Sequence, residues 1–348
     1  MSLSAAPATA DGDRPFLDFR SDTVTKPTRA MRAAMLDAEV GDDVYGEDPS
    51  VLALEEYTAD LFGFGAAMFV PPGVMANHIG VRLLVGPGGE LVCDADAHIV
   101  AHEDGGLAWH GGVQTRTTLS DRGLLDPDDL RRLIRPPAGY TVGTSAVEIE
   151  NTHNRGGGSV YPIGTLRRIR EVADEAGVAV HLDGARIWNA HAASGVPLRD
   201  YGAIADTMSV CLSKGLGAPV GSVLLFDPGH AAEARLLRHR LGGGWRQAGM
   251  LAAAGRYALD HHVERLTEDH ANARLLAEGL REAGFAAREP ETNIVLVDVP
   301  DAPALAAALS GRGVRAAVFG PRLLRLVTHL DVSEKDCVEA AAVARQLT

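Results

Sequence analysis

Lysine is the residue type to inspect first in this sequence, because it is rare and can act as a nucleophile. Of the 33 basic side chains only three are lysines, and the others are arginines, which cannot lose a proton to become amines. One of them, Lys214, follows the apolar run 208–212 and precedes the glycine-rich residues 215–217. It is therefore expected where a buried strand ends in a loop, the position at which open α/β sheets bind ligands. There its amine can attack a carbonyl carbon, although a surface or capping role is the alternative.

An acid and an arginine stand at a second strand end of the same kind. Asp183 follows the apolar run 178–182 and is followed by Gly184-Ala185-Arg186. About 30 residues, roughly one βα unit, separate it from Lys214. Pyridoxal phosphate needs a lysine for its aldehyde and a carboxylate beside its pyridine nitrogen, because the protonated ring takes up electrons. Together the two residues predict a pyridoxal-phosphate enzyme, whereas Asp183 alone could cap the next helix.

Apolar runs and helical patterns alternate along most of the chain, between residues 18 and 241. This order is typical of βα units that build a mostly parallel sheet with helices on both faces, which is an α/β fold. We expect strands at residues 67–70, 90–93, 145–149, 178–182, 207–212 and 222–226. We expect helices at residues 50–62, 74–84, 163–176 and 231–240.

The pattern changes after a Gly-rich break at residues 242–244. A long helical stretch runs from residue 247 to 283, with an interruption near 261–262. A small α+β domain is indicated by the strands and helices expected at 294–299, 302–309, 324–327 and 334–346. The division that we expect is a disordered N-terminal tail at 1–16, a large cofactor-binding domain at 17–245, and a connector helix with a small C-terminal domain at 246–348.

Composition argues against several classes of function. The net charge of −13 opposes binding to nucleic acid, since phosphates require a basic face. No apolar run approaches the ~18–20 residues that cross a bilayer, so no membrane insertion is expected. The three cysteines lie far apart with no C-x-x-C pair, which predicts neither a disulfide framework nor a zinc site. These observations fit a cytoplasmic enzyme that acts on small molecules and holds no metal.

The turn after the first sheet strand is a candidate phosphate site. Residues 71–77 read Pro-Pro-Gly-Val-Met-Ala-Asn, so that Gly73 and Val74 begin the next helix. Free N–H groups and the helix dipole at such a position favour an anion. Many βα turns look similar, and a purely structural turn is the alternative.

Six short words in the sequence are more specific than any of these signals. In order they are RSDTVT (20–25), GDDVYG (41–46), ENTHN (150–154), DGAR (183–186), LSKGLG (212–217) and RLVTHL (325–330). Through them the chain resembles the low-specificity L-threonine aldolases of the beta-eliminating lyase/threonine aldolase family, from residue 19 to about 332. The resemblance implies pyridoxal-phosphate-dependent fold type I, similar to aspartate aminotransferase, with a mostly parallel seven-stranded sheet and a small C-terminal α+β domain.

The resemblance also implies which residues hold the cofactor. Lys214 would carry it as a Schiff base, Asp183 would face the pyridine nitrogen, and His98 would stack on the ring, with Arg186 close by. The family usually has Gly and then Thr in the phosphate turn, whereas this chain has Pro72, Gly73 and Val74. A hydroxyl that binds phosphate is therefore missing, and backbone N–H groups must hold the phosphate instead.

A second set of residues is implied for the substrate. Ser21, Arg186 and Arg325 would grip its carboxylate, which a planar guanidinium can hold with two hydrogen bonds. A structural ion pair is the alternative for each of the two arginines. His98 and His153 are both candidates for the base that takes the proton of the substrate hydroxyl, since histidine titrates near neutral pH.

The implied reaction is the reversible cleavage of L-threonine, L-allo-threonine and other β-hydroxy-α-amino acids to glycine and an aldehyde. β-Elimination or transamination on the same cofactor stays open, because the ring stabilises a carbanion whichever Cα bond is cut. A non-catalytic relative that only binds the cofactor is a further alternative. The implied assembly is a homotetramer, a dimer of dimers, in which Tyr45 and Arg246 complete the active site of a neighbouring subunit.

Overall fold

The computed structural model describes residues 16–348. The tail expected at residues 1–16 therefore lies, apart from Phe16, outside the described residues. The strands are β1 (Leu17–Asp18), β2 (Ala66–Val70), β3 (Glu90–Asp94), β4 (Gln114–Thr118), β5 (Thr144–Glu150), β6 (Ala179–Gly184), β7 (Thr207–Cys211), β8 (Ser222–Phe226), β9 (Ala286–Ala287), β10 (Ile294–Asp298), β11 (Val314–Arg315), β12 (Ala317–Gly320) and β13 (Leu323–Val327).

The helices account for most of the remaining chain. They are α1 (Arg29–Leu36), α2 (Pro49–Phe62), α3 (Gly73–Leu84), α4 (His98–Ala101), α5 (Gly106–Gly111), α6 (Pro127–Leu133), α7 (Ile163–Ala176), α8 (Ile187–Ser194), α9 (Leu198–Gly202), α10 (Ala231–Arg240), α11 (Gly249–His261), α12 (Leu266–Glu282), α13 (Ala302–Ser310) and α14 (Glu334–Arg345). Within residues 16–348, none of them has both the length and the apolar composition needed to cross a membrane.

A seven-stranded sheet forms the centre of the molecule, in the order β2-β8-β7-β6-β5-β3-β4. Only β8 runs against the others, so the predicted mostly parallel sheet of seven strands is confirmed. Six of its strands lie where the apolar runs predicted them. Strand β4 was not predicted, because this edge strand reads Gln-Thr-Arg-Thr-Thr and is largely exposed.

Both faces of this sheet are covered, which explains why its central strands are so apolar. Helices α3 and α10 pack on one face at the β2 and β8 side, and α2, α7 and α11 pack on the other. Every residue of β3, β7 and β8 is buried.

A smaller antiparallel sheet of β12, β13, β10 and β9 lies in the C-terminal part of the chain. Its core includes residues of α12 and α14 and also Phe19, which follows β1. Strand β1 pairs in parallel with β11, so the chain just before the Ser21 region is anchored to the C-terminal part. The long helical stretch predicted at 247–283 consists of α11 and α12, which are separated at residues 262–265.

The register of the large sheet brings polar side chains to one edge. Glu150 at the end of β5 pairs with Asp183 in β6, and Asp183 pairs with Ser209 in β7. Lys214 follows β7 at the same edge. Because the carboxyl ends of parallel strands meet at one edge of a sheet, these residues face a common space.

Candidate active site

Lys214 lies in the loop after β7 and is half-buried. The hydroxyl of Thr25 donates to its backbone carbonyl at 3.0 Å, which ties this loop to the segment beginning at Ser21. Within residues 16–348 the ammonium group of Lys214 makes no hydrogen bond or ion pair. Its position therefore leaves the amine available to a carbonyl group at the sheet edge.

Asp183 is a buried carboxylate held by two N–H donors, with a serine hydroxyl nearby. Asn77 Nδ2 lies 2.8 Å from its Oδ2, and the backbone N–H of Ala185 lies 2.9 Å from its Oδ1. Ser209 Oγ lies 3.4 Å from the same Oδ1. These donors fix the orientation of the carboxylate, which suits it to hold one nitrogen of a ring in place.

His98 begins α4, and its ring is 28% exposed. Its Nδ1 lies 2.8 Å from Glu103 Oε1, and its backbone N–H donates to Glu150 Oε2 at 2.8 Å. Burial works against the charged ring, but the hydrogen bond to Glu103 and the negative charges of Asp183 and Glu150 outweigh it and raise the pKa of His98. The ring is therefore held in place, and its surroundings favour the protonated form.

Potential ligand atoms of His98, Glu103 and Asp183 lie within 4.8 Å of one another, a spacing that a metal ion would accept. The sequence analysis predicted no metal. Glu103 is already bonded by Asn77, His98 and His78, and Asp183 by Asn77 and its other donors. We therefore treat this group as a hydrogen-bonded network.

His153, the second candidate base, is enclosed, with its side chain only 1% exposed. Its Nδ1 accepts from the backbone N–H of Gly156 at 3.0 Å. Its Nε2 lies 3.5 Å from Asp94 Oδ1 and 3.6 Å from Glu150 Oε2. The greater exposure of His98 makes it the better placed of the two histidines to meet a substrate.

The arginines predicted to bind a carboxylate lie close together. Arg186 Nε and Nη2 each lie 2.7 Å from an oxygen of Asp22. Arg325 Nη1 donates to Asn154 Oδ1 at 2.6 Å and Nη2 to the carbonyl of Arg20 at 2.9 Å. Its Nε is buried and has no acceptor among residues 16–348.

This part of the site carries an excess of positive charge. Burial and the nearby charge of Arg186 lower the pKa of Arg325 to about 10. Burial opposes ionisation of Asp22, but Arg186, Lys214 and Arg325 together hold its pKa below the ordinary value. Three cations therefore surround one carboxylate, which favours a second, incoming carboxylate. Ser21 borders this pocket, with its hydroxyl 2.9 Å from Thr23 Oγ1.

The predicted phosphate turn forms the N-terminus of α3. Pro72 precedes the helix and provides no side-chain cap, and the first N–H groups, on Gly73 and Val74, have no partner within the helix. A Cβ atom at Gly73 would lie 2.7 Å from Cys211 Sγ, so only glycine lets the helix begin this close to the end of β7. The result is a cradle of backbone donors beside the Lys214 loop.

Tyr45 and Arg246 lie together on the surface. The Arg246 guanidinium is 5.9 Å from the Tyr45 ring centroid, and its Nη1 lies 3.0 Å from Asp42 Oδ2. Tyr45 is 74% exposed. Among residues 16–348 the side chain of Arg246 interacts with Tyr45 and Asp42, and neither Tyr45 nor Arg246 has a hydrogen bond or ion pair with Lys214 or Asp183. The structure therefore unites the other predicted site residues, except the enclosed His153, but leaves this pair on an outer face.

Asp22, Asn77 and Glu103 belong to the site but were assigned no role from the sequence. Asp22 stands beside Ser21 in the word RSDTVT. An arginine elsewhere in the sequence with no acidic partner near it could have indicated that Asp22 is that partner. Asn77 follows Gly73 by about one helical turn, which places it on the same face as the phosphate turn. No local pattern marks Glu103, because only the path of the loop after α4 brings it under His98.

Pyridoxal phosphate fits the residues that this edge presents. Lys214 offers a free amine, Asp183 an oriented carboxylate, and α3 a cradle of N–H groups for a phosphate. His98 provides a partly exposed ring beside them. These are the groups that the cofactor requires.

Comparison with known proteins agrees with this site. The beta-eliminating lyase family matches residues 18–302. Over 327 residues the chain is 42% identical to the low specificity L-threonine aldolase of Escherichia coli K12, with 94% of this chain and 97% of the relative covered. It is 40% identical over 332 residues to low-specificity L-threonine aldolase 1 of Arabidopsis thaliana, with 92% of this chain and 93% of the relative covered.

The fold agrees as well. A solved threonine aldolase from Leishmania major superposes with a TM-score of 0.83 at 21% identity, covering 95% of this chain and 99% of the other. The chain therefore belongs to the beta-eliminating lyase family, among the low-specificity L-threonine aldolases, and is a lyase that depends on pyridoxal phosphate.

Proposed function

We propose that this enzyme cleaves L-threonine and L-allo-threonine, and other β-hydroxy-α-amino acids, reversibly to glycine and an aldehyde. The observation that carries the proposal is the pocket of Arg186, Arg325 and Asp22 beside Lys214. Its positive charges outnumber the single carboxylate of Asp22, which favours binding of a second carboxylate. The E. coli and Arabidopsis relatives, which carry the name L-threonine aldolase, support the choice of substrate.

When bound, pyridoxal phosphate supplies an aldehyde for a lysine amine and a protonated ring that accepts the electron pair of a breaking Cα–Cβ bond. Lys214 is the amine that we assign to it. Asp183 would keep a proton on the pyridine nitrogen, and the N–H groups of Gly73 and Val74 would hold the phosphate. His98 would contact the ring.

The substrate is held by its carboxylate. Ser21, Arg186 and Arg325 bind this group and thereby orient the bond between Cα and Cβ. Orientation decides which bond of Cα breaks, because fixing the carboxylate also fixes where the other substituents of Cα lie. Asp22 holds Arg186 rigid while this happens, through its two contacts of 2.7 Å.

A base must then take the proton of the β-hydroxyl. We assign this role to His98 Nε2, since Nδ1 already faces Glu103 and His153 is enclosed. The Cα–Cβ bond breaks, the β-carbon leaves as an aldehyde, and Cα takes up a proton to give glycine.

The assembly that we propose is a homotetramer, a dimer of dimers. Tyr45 and Arg246 are exposed in the single chain and would complete the site of a neighbouring subunit. Within each subunit we divide the chain into a large domain at 17–245 and, at 246–348, a connector helix followed by a small C-terminal domain. We place the enzyme in the reducing cytoplasm, since its three cysteines are free and buried.

The test is release of glycine and acetaldehyde from L-threonine and L-allo-threonine by protein reconstituted with pyridoxal phosphate. Lys214→Ala should lose both the visible band of the lysine-bound cofactor and all cleavage. Lys335→Ala, at an exposed lysine of α14, is the matched control and should retain both. Ammonia with a keto acid would instead indicate β-elimination, and a keto acid with the aminated form of the cofactor would indicate transamination. A cofactor band without cleavage of either isomer would indicate a relative that only binds the cofactor.

A further inference from the structure

Asn77 joins two buried carboxylates. Its Nδ2 lies 2.8 Å from Glu103 Oε1 and 2.8 Å from Asp183 Oδ2. A primary amide has two N–H groups, so each carboxylate receives one. The amide oxygen accepts from Ser209 Oγ at 2.6 Å and lies 3.2 Å from His181 Nε2. The reverse orientation would turn this oxygen towards both carboxylates, so these contacts leave one orientation for the amide.

Glu103 is the centre of the network and is only 4% exposed. Besides Asn77, its Oε1 meets His98 Nδ1 at 2.8 Å and its Oε2 meets His78 Nε2 at 2.9 Å. Burial opposes its charge, but the adjacent His78 ring and the hydrogen bonds from His98 and Asn77 lower the pKa of Glu103 to about 2. An ionised carboxylate only accepts hydrogen bonds, so His98 Nδ1 must carry a proton. Nε2 is then the nitrogen that exchanges a proton with another molecule.

We propose that Glu103 and Asn77 are positioning residues that make His98 and Asp183 one hydrogen-bonded unit. Glu103 holds the His98 ring with its Nδ1 proton in place, and Asn77 ties this pair to the carboxylate that faces the cofactor nitrogen. The transfer of a proton from the β-hydroxyl to this unit rests on the proposed function. The unit itself rests on the observed hydrogen bonds of Asn77 and Glu103.

Other charged groups also face His98. Glu150 accepts from its backbone N–H at 2.8 Å, and Asp183 is near its ring. The ring of His102 lies 5.6 Å away, measured between centroids. Because these groups remain when Glu103 is neutralised, the proton affinity of His98 should fall without being abolished.

The first variant is Glu103→Gln, which keeps the shape and removes the charge. The readout is the pKa of His98 in protein with isotope-labelled histidine, titrated by NMR with and without pyridoxal phosphate and assigned with His98→Asn. We expect this pKa to fall by about one pH unit or more, because a nearby negative charge favours the charged ring. The acid limb of kcat/KM should move to lower pH by the same amount.

The second variant, Asn77→Ala, should act in the opposite direction. Without the amide, the negative charges of Glu103 and Asp183 are less compensated, so the pKa of His98 should rise. The dissociation constant for pyridoxal phosphate, measured by fluorescence quenching, should also rise. A general loosening of the site would move both variants towards the ordinary histidine pKa, about 6.5, and so cannot mimic this result.

Two further variants complete the design. Glu103→Asp keeps the charge and should retain the raised pKa of His98. Glu90→Gln removes a buried acid that pairs with Arg135 at the other end of β3, and it should leave His98 unchanged.

The inference is overturned if Glu103→Gln leaves the pKa of His98 unchanged, or if it and Asn77→Ala shift that pKa in the same direction. Should Glu103→Gln not fold, the titrations of Glu103→Asp and Asn77→Ala decide in the same way. A wild type that shows these shifts but cleaves neither threonine isomer would support the unit and refute the proposed function. Aldolase activity without these shifts in the pKa of His98 would support the proposed function and refute the unit.

Discussion

Arg186 and Asp22 form an ion pair with two contacts, Nε to Oδ2 and Nη2 to Oδ1, both at 2.7 Å. Both side chains are buried. The sequence marked Arg186 as a group that binds substrate, yet two of its nitrogens are already occupied within the chain. The pair therefore holds the Arg186 guanidinium rigidly, and only the remaining edge of Arg186 is left for the substrate carboxylate that we propose it binds.

Asp22→Asn tests this platform. Removing one charge of a buried pair leaves Arg186 without compensation, and we expect a loss of about 3 kcal/mol in the free energy of unfolding. KM for L-threonine should rise more than kcat falls, because Arg186 is no longer held in position. Urea denaturation and steady-state kinetics measure the two effects, and a variant as stable as the wild type would contradict the role of the pair.

The same pair makes stability depend on pH. The charges of Arg186, Lys214 and Arg325 overcome burial and hold the pKa of Asp22 below its unfolded value of 3.8. A lowered pKa stabilises the fold above that unfolded value, and this contribution is lost as pH falls through the folded pKa. The stability gap between wild type and Asp22→Asn should therefore be full at neutral pH and shrink below about pH 4.

Arg325→Lys tests the second cation of the pocket. A lysine cannot reproduce the planar arrangement that binds Asn154, the Arg20 carbonyl and a substrate carboxylate together. We expect KM for L-threonine to rise about tenfold, which corresponds to one charged hydrogen bond. The matched control is Arg322→Lys at an exposed position, which should leave KM unchanged. Equal KM values in the two variants would remove Arg325 from the substrate site.

The two histidines should differ in what their loss affects. His98→Asn should lower kcat about 10²-fold or more, since it removes the proposed base. His153→Asn replaces an enclosed ring and should mainly lower the melting temperature, with a smaller effect on kcat. Thermal denaturation and kcat, measured on both variants, separate the roles. A larger loss of kcat in His153→Asn would transfer the base to that residue.

Val74→Thr should strengthen cofactor binding. The exchange adds one hydroxyl at the start of α3 with almost no change in shape, and the family usually has threonine in this turn. One additional hydrogen bond of about 1 kcal/mol predicts a dissociation constant for pyridoxal phosphate about fivefold lower. Val74→Ala serves as the control without a hydroxyl. If threonine and alanine have equal effects, the turn does not contact the phosphate through this position.

Mixing two inactive variants tests the shared site. Lys214→Ala lacks the amine, and Arg246→Ala lacks the group proposed to reach the neighbouring subunit. If each site combines Lys214 of one subunit with Arg246 of another, mixed dimers contain one intact site. Refolding an equal mixture should then restore about a quarter of the wild-type activity. Either variant refolded alone is the control, and a mixture no more active than these would place Arg246 outside the site.

The local pattern of apolar residues was enough to predict most strands of the large sheet. The strands that end near Lys214 and Asp183 are continuous apolar runs because helices cover both faces of the sheet. The polar edge strand β4 was not predicted, because a strand exposed to water has no run of apolar residues. Short strands such as β9 and β11 were not predicted either, because two residues are too few to show a periodic pattern.

By itself, the sequence determined which side chains can do the chemistry: a rare lysine, an acid at the neighbouring strand end, and arginines within recognisable words. The tertiary structure alone decided how they are used. It paired Arg186 with Asp22, enclosed His153, and placed Asn77 between Glu103 and Asp183. These contacts join residues far apart in the chain, and their geometry depends on where the loops lead each side chain once the sheet has formed.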